Sequence, residues 1–195
     1  NYRVLNIIGI IVFFLGFSMI PSSCWSYYYN DSDSLQLFHS SIITIFSGLS
    51  IYLISYYFLT KKTRKKELSL KDGFTIVSLA WISMSVFSAL PYFISLSNFS
   101  FTNAFFEAMS GLTTTGATIF GDSTIKLESL SHGLLFWRSF THFIGGMGII
   151  VFSLAILPMV GIGGVQLFRA EVAGPVADKL TPRVKNTAKL LWQIY

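Results

Sequence analysis

Six consecutive positions, Thr113, Thr114, Thr115, Gly116, Ala117 and Thr118, carry the residue types that can take hold of a bare ion. A dehydrated monovalent cation needs several oxygens at close range, and backbone carbonyls with threonine hydroxyls supply them without a full negative charge. Carbonyls aim to one side only where the backbone visits conformations that a Cβ atom penalises, so a glycine is needed at the turn point, and Gly116 provides it. The bland alternative is an ordinary polar loop, and Thr-Thr-Thr-Gly taken alone would fit that reading.

The preceding element argues for the ion. Residues 103–112 form an apolar piece of ten residues, roughly 15 Å as a helix, too short to cross a bilayer. A helix that dips into a membrane and stops leaves polar backbone groups unsatisfied, which is tolerated only within protein or beside a water-filled cavity. Ser100, Thr102 or Asn103 can cap its start on the outer face. Its C-terminal end then carries partial negative charge inward and favours a cation there. Gly121, Asp122 and Ser123 return the chain outward.

Composition places this arrangement in a membrane. The 195 residues are 52% hydrophobic and only 12% charged, against about 25% charged in soluble domains. One cysteine excludes a disulfide framework within the chain and a Cys-based zinc site. Four uncharged or nearly uncharged runs are long enough to span: 4–20, ended by Pro21, Ser22 and Ser23; 35–60; 73–96, with Pro91 expected to kink or stop it; and 133–160. A signal peptide competes for the first run, but the run is long for one and further spans follow. With four crossings, Arg3, the loop from Lys61 to Lys71 and the segment from Arg169 to Lys189 share one side, which collects 12 of the 14 basic residues. The positive-inside rule puts that side, and both ends, in the cytoplasm. The charge of +5 is thereby explained by orientation and contact with the lipid bilayer, and no aromatic-basic pattern calls for nucleic acid.

Other polar residues have plainer readings. Glu107, inside the short helix, can attract cations, accept hydrogen bonds from the loop backbone or pair with Arg138; a partnered structural role is favoured, because carboxylates at membrane depth usually have a partner. Arg138 is expected to pack against the short helix. His142 and His39 lack neighbours at metal-binding spacing and read as helix contacts. Gly145, Gly146 and Gly148 permit close helix packing or bending. Gly161, Ile162, Gly163 and Gly164 lack the lysine of a phosphate loop. No nucleophile–base pair occurs, so no enzyme is expected.

The run from Phe106 to Thr118, reading FEAMSGLTTTGAT, resembles the first pore loop of TrkH-type potassium uptake subunits in the Trk/Ktr/HKT superfamily. Phe136 to His142 (FWRSFTH) and Ile144 to Ile150 (IGGMGII) resemble the second pore-lining helix of the same unit, closed by Ala155, Ile156, Leu157 and Pro158. Phe168 to Glu171, Pro175 and Leu180 to Arg183 resemble the cytoplasmic connector. The resemblance is dense from about 103 to 195 and mainly pattern upstream. It implies an all-α integral membrane protein: an N-terminal helix hairpin (1–60), a basic cytoplasmic loop (61–72), one helix–pore loop–helix unit (73–160) with a re-entrant pore helix and extended filter strand, and a connector into the next span (161–195). The family builds one pore from four such units, so this chain reads as the N-terminal part of its parent. Potassium would sit at Thr114, Thr115 and Gly116, with no cofactor. The resemblance further implies a homodimer in the bacterial inner membrane and a cytoplasmic nucleotide-binding regulator of the TrkA type. Thr118 stands where potassium channels have a second glycine, so one dehydrated site is expected and modest discrimination against sodium. A small tetrameric channel and a non-transporting membrane scaffold are the alternatives.

Overall fold

A computed structural model describes residues 2–62, 70–121 and 125–160, together with Gln193. The helices are α1 (Tyr2–Tyr28), α2 (Ser34–Lys62), α3 (Leu70–Ser88), α4 (Leu90–Ser95), α5 (Phe101–Leu112) and α6 (His132–Val160), with one 3-10 turn at Leu127–Ser129. No β-strand occurs among the described residues. The chain divides into two compact units, Asn1–Phe143 and Ile144–Tyr195. The first holds α1 to α5 and the opening turns of α6; the second holds the remainder of α6. Arg64, Lys65 and Lys66 of the basic loop, Asp122 and Ser123 of the outward return, and the connector from 161 onward, Gln193 apart, lie outside the described residues.

Among the described residues, three helical segments are long and apolar enough to cross a membrane: Tyr2–Tyr28, Ser34–Phe58 and Asp72–Ser95. Helix α6, at 29 residues, has the length, at about 1.5 Å per residue. The distribution of side chains is the reverse of a soluble protein's. Phe14, Tyr27, Leu35, Phe46 and Ile54 are each at least 60% exposed, while Ser22, Ser26, Ser40, Ser41, Thr44, Ser85 and Ser88 are buried. An apolar exterior of this extent needs lipid around it.

Pro21 does not end the first helix; α1 continues through it to Tyr28. Prolines are tolerated in membrane helices, where neighbouring helices and local backbone adjustment make up for the lost bond, and the hydroxyls beside Pro21 bond other carbonyls. Ser23 Oγ donates to the Ile20 carbonyl at 2.8 Å and Ser22 Oγ to the Gly133 carbonyl at 2.6 Å. Pro91 does interrupt its helix: α3 stops at Ser88, and α4 restarts with the proline in its first turn, where a missing N–H costs nothing.

The hairpin of α1 and α2 packs backbone to backbone. A Cβ on Gly9 would lie 2.6 Å from the Tyr52 amide nitrogen, one on Gly16 would lie 2.7 Å from that of Ile45, and one on Gly48 would strike the backbone of Phe13. Small residues at such crossings let dispersion contacts replace the absent hydrophobic drive between helices in lipid. The hydroxyls of Ser40, Ser41 and Thr44 are satisfied within α2, each donating to a carbonyl one turn back at 2.8 Å. Val4, Ile8 and Val12 of α1 form the apolar core on which Ile76 and Phe87 of α3 rest.

The hairpin turn is tied to the start of α6. Ser26 Oγ donates to Asp33 Oδ1 at 2.6 Å, Ser131 Oγ donates to Asp33 Oδ2, and the His132 amide donates to Asp31 Oδ2 at 2.8 Å. Ser131 also caps the helix, accepting from the Leu134 amide at 3.2 Å. The imidazole of His132 stacks on Tyr29 with centroids 4.1 Å apart. The first turns of α6, which carry Arg138 and His142, are thereby fixed to the hairpin.

Candidate ion-coordinating loop

The short helix α5 begins at Phe101, capped by Ser100, whose Oγ accepts from the Asn103 amide at 3.2 Å. Its twelve residues extend roughly 18 Å, short of a membrane crossing. Gly111 sets its packing against α6: a Cβ there would collide with Thr141 Oγ1. Thr141 is fully buried, its hydroxyl donating to the Arg138 carbonyl at 2.7 Å.

The helix ends in a Schellman motif. The Thr115 amide donates to the Ser110 carbonyl at 3.0 Å and the Thr114 amide to the Gly111 carbonyl at 2.9 Å. The residue at the left-handed position is Thr114 itself, with φ +59°. Glycine is usual there, and a β-branched residue at positive φ is a genuine outlier. Gly116 follows with φ +75°. The loop therefore turns twice within three residues, at one glycine and one threonine. The sequence points to Gly116; nothing in it marks Thr114.

The oxygens of the loop divide into two groups. Ala117's carbonyl accepts from Ser110 Oγ at 2.6 Å and Thr118 Oγ1 donates to Glu107 Oε1 at 2.5 Å, so both are turned onto α5. Thr113 Oγ1 donates to the Met109 carbonyl at 2.8 Å and lies 2.9 Å from Thr115 Oγ1. With its one proton so engaged, Thr113 accepts from Thr115, whose own lone pairs stay available. No protein hydrogen bond among the described residues engages the carbonyls of Thr113, Thr114 and Thr115. Side chains from 113 to 118 are exposed, presenting a rim of oxygens held from behind.

Glu107 is what holds it. It is 1% exposed. Its Oε1 accepts from Thr118 Oγ1 and, at 2.6 Å, from the Ile119 amide; its Oε2 faces Arg138 Nε at 3.5 Å. The contact is an ion pair by distance but not a formed hydrogen bond, since Arg138 Nε has no hydrogen-bond partner among the described residues. Arg138 Nη2 reaches the Gly116 carbonyl at 3.4 Å, a weak bond. His142 Nδ1 lies 2.8 Å from the Arg138 carbonyl, an acceptor, so that nitrogen carries the proton. Its Nε2 would lie 3.8 Å from a Cβ on Gly116. Below the loop Phe120 is buried, stacked on Phe99 and tilted against Tyr92.

Gly145, Gly146 and Gly148 lie in the helical run of α6 within the second unit. His39 is exposed on α2, and no cluster of three metal-ligating side chains occurs among the described residues.

A family model for TrkH, described as a cation transport protein, matches residues 39–195. The Trk system potassium uptake protein TrkH of Vibrio parahaemolyticus is 39% identical over 194 residues, and that of Escherichia coli 41% identical over the same length. Each alignment covers 98% of this chain and 38% of the relative. The crystal structure of the potassium transporter TrkH from Vibrio parahaemolyticus superposes with a TM-score of 0.77 at 35% identity, over all of this chain and 36% of that one. The chain thus spans less than two-fifths of the length of the relatives it matches.

Proposed function

The chain belongs to the TrkH family of cation transport proteins, whose members are transporters and not enzymes, and from that premise we propose that it forms the first pore unit of a potassium uptake protein. Dehydrated potassium is held by oxygens of Thr113, Thr114, Thr115 and Gly116, with Ala117 and Thr118 anchoring the loop to the pore helix. The observation that carries this reading is the buried Glu107, which fixes Thr118 and the Ile119 amide from behind while three consecutive threonine carbonyls have no hydrogen-bond partner among the described residues. Free carbonyls in a braced loop replace a hydration shell without the loop having to reorganise. The C-terminal end of α5 adds favourable negative potential. The guanidinium of Arg138, near Gly116, would oppose a cation if alone, but Glu107 balances its charge.

Glu107 and Arg138 therefore act as the loop's support. Gly145, Gly146 and Gly148 serve close packing or bending of α6 in the assembled protein. Segment 1–60 is the hairpin and 73–160 the pore unit. The basic segments 61–72 and 161–195 face the cytoplasm, as the positive-inside rule requires. The setting is the bacterial cytoplasmic membrane. The full-length protein pairs as a homodimer and meets a nucleotide-binding regulator of the TrkA type near the basic connector.

The test is Gly116→Ser in the full-length protein, measured as potassium against sodium uptake in proteoliposomes. A side chain at φ +75° strains the backbone and displaces the neighbouring carbonyls, so the potassium preference should fall several-fold. An unchanged preference would remove the loop from ion selection.

A further inference from the structure

The close crossing of α1 and α2 leaves a furrow beside it. Gly9 and Gly48 bring the backbones of Tyr52 and Phe13 into contact with the opposite helix, so the larger side chains flank the crossing instead of filling it. The result is a groove of about 300 Å³, lined by Ile10, Phe13 and Phe14 of α1 and by Leu49 and Tyr52 of α2. The α1 wall is braced by its own rings: Phe13 meets Phe14 edge-on at 5.9 Å and Phe17 at 5.0 Å between centroids. Ile10 and Phe14 are both exposed, so the groove opens outward.

An apolar groove by itself prefers no particular lipid, because acyl chains are as apolar as its walls. Charge at the right depth supplies a preference. Tyr2 of α1 stacks on Phe58 of α2 with centroids 5.2 Å apart, which sets the start of α1 level with the end of α2. Arg3 follows Tyr2, and Lys61 and Lys62 close α2. Asp72, in the first turn of α3, is the one acidic residue at that end among the described residues. Arg3, Ile10 and Phe14 are spaced by seven and four residues and so share one face of α1. Ile10 and Phe14 lie about 10–16 Å deeper than Arg3 along the helix. Leu49 and Tyr52 lie about 14–18 Å from Lys61. Both depths match the roughly 15 Å that the chains of one leaflet occupy. Tyr52 stacks on Tyr56, one turn nearer the basic end, at 6.0 Å, which extends the α2 wall toward the headgroup level where tyrosines favour the interface.

We propose that this groove holds one acyl chain of an anionic phospholipid whose phosphate lies at the level of Arg3, Lys61 and Lys62. The volume is at the lower end of ligand-site volumes and suits a single chain. Basic residues at a membrane surface draw anionic lipids, and the groove fixes one of them in place. The site is separate from loop 113–118, and the proposal stands whether or not that loop selects ions.

The full-length protein is delipidated in detergent, supplied with phosphatidylglycerol or phosphatidylcholine, and its retained lipid counted by native mass spectrometry. Wild type should retain phosphatidylglycerol several-fold over phosphatidylcholine. Leu49→Trp, which fills the groove, should retain several-fold less of it. Arg3→Gln combined with Lys61→Gln and Lys62→Gln should level the two lipids. Equal retention of both lipids by wild type, unchanged retention in Leu49→Trp, or a preference that survives the triple variant overturns the proposal. Wild type is also photolabelled with phosphatidylglycerol carrying a diazirine at mid-chain, which decides should a variant fail to assemble. Labels within 10–14 and 49–52 are expected. Labelling confined to other segments overturns the proposal and means that another part of the full-length chain, or a second copy, covers the groove.

Discussion

Ser110 and Ala117 are joined by a 2.6 Å hydrogen bond from the serine Oγ to the alanine carbonyl, which closes the proposed ion-coordinating loop on the helix that leads into it. The bond turns one carbonyl away from the exposed rim and so fixes which oxygens remain for an ion. Ser110→Ala leaves Ala117's carbonyl free to rotate. The expected outcome is a reduced preference for potassium over sodium with assembly retained, since a single such bond contributes about 1 kcal/mol. Ion competition in proteoliposomes, beside a thermal melt in detergent, checks both halves.

Glu107→Gln should do more damage to folding than to any one contact. It strips the counter-charge from Arg138, whose side chain is only 19% exposed, inside a site where Glu107 is 1% exposed. Removing one member of a buried pair costs about 3–5 kcal/mol, because the other charge is left uncompensated. The yield of monodisperse full-length protein should fall sharply. Glu107→Gln combined with Arg138→Gln should recover much of that yield but not ion selection. Size-exclusion profiles of the two single variants and the double variant test this, and additive losses would refute the pairing.

Much of this architecture can be read from the residues in order. The apolar runs and the short helix before Thr113 follow from length, and the sequence offers Ser100, the observed cap, beside Thr102 and Asn103. What escapes such reading depends on contacts far apart in the chain or on backbone geometry. Asp33 meets Ser131, a separation of 98 residues, and no local pattern announces it. Pro21 reads as a stop, yet the helix runs on to Tyr28. Ala117 reads as a coordinating position, but its carbonyl belongs to Ser110.

Asp33→Ala should loosen the hold of the hairpin on α6. The carboxylate is 7% exposed and accepts from Ser26 and Ser131, so its loss strands one buried and one half-buried hydroxyl. Each stranded group costs about 1–3 kcal/mol. A lower melting temperature of the full-length protein is expected, with Asp33→Asn intermediate because it keeps one acceptor. Equal melting of Asp33→Ala and wild type would mean the clasp bears no strain of assembly.

Gly111→Ala should destabilise the contact between α5 and α6, because the added methyl falls on Thr141 Oγ1. Overpacking of this kind costs about 1–3 kcal/mol. Thr141→Ala removes the obstructing hydroxyl, so the double variant should melt above Gly111→Ala alone. A strictly additive pair would show that the two residues do not meet.

Thr114 gives the sharpest separation of stability from ion handling. Its φ of +59° places a β-branched side chain where the left-handed conformation costs about 1–2 kcal/mol. Glycine adopts that conformation freely, although it also gains freedom in the unfolded chain. Thr114→Gly should therefore melt within about 1 kcal/mol of wild type despite losing its side chain. Its carbonyls, no longer held by a restricted threonine backbone, should discriminate less well between potassium and sodium. Strain retained at a functional position for the sake of geometry has this signature, with stability preserved and selectivity lost. Melting curves and ion competition on the same preparation test it: a Thr114→Gly protein with wild-type selectivity would show that the left-handed threonine is incidental to the ion site.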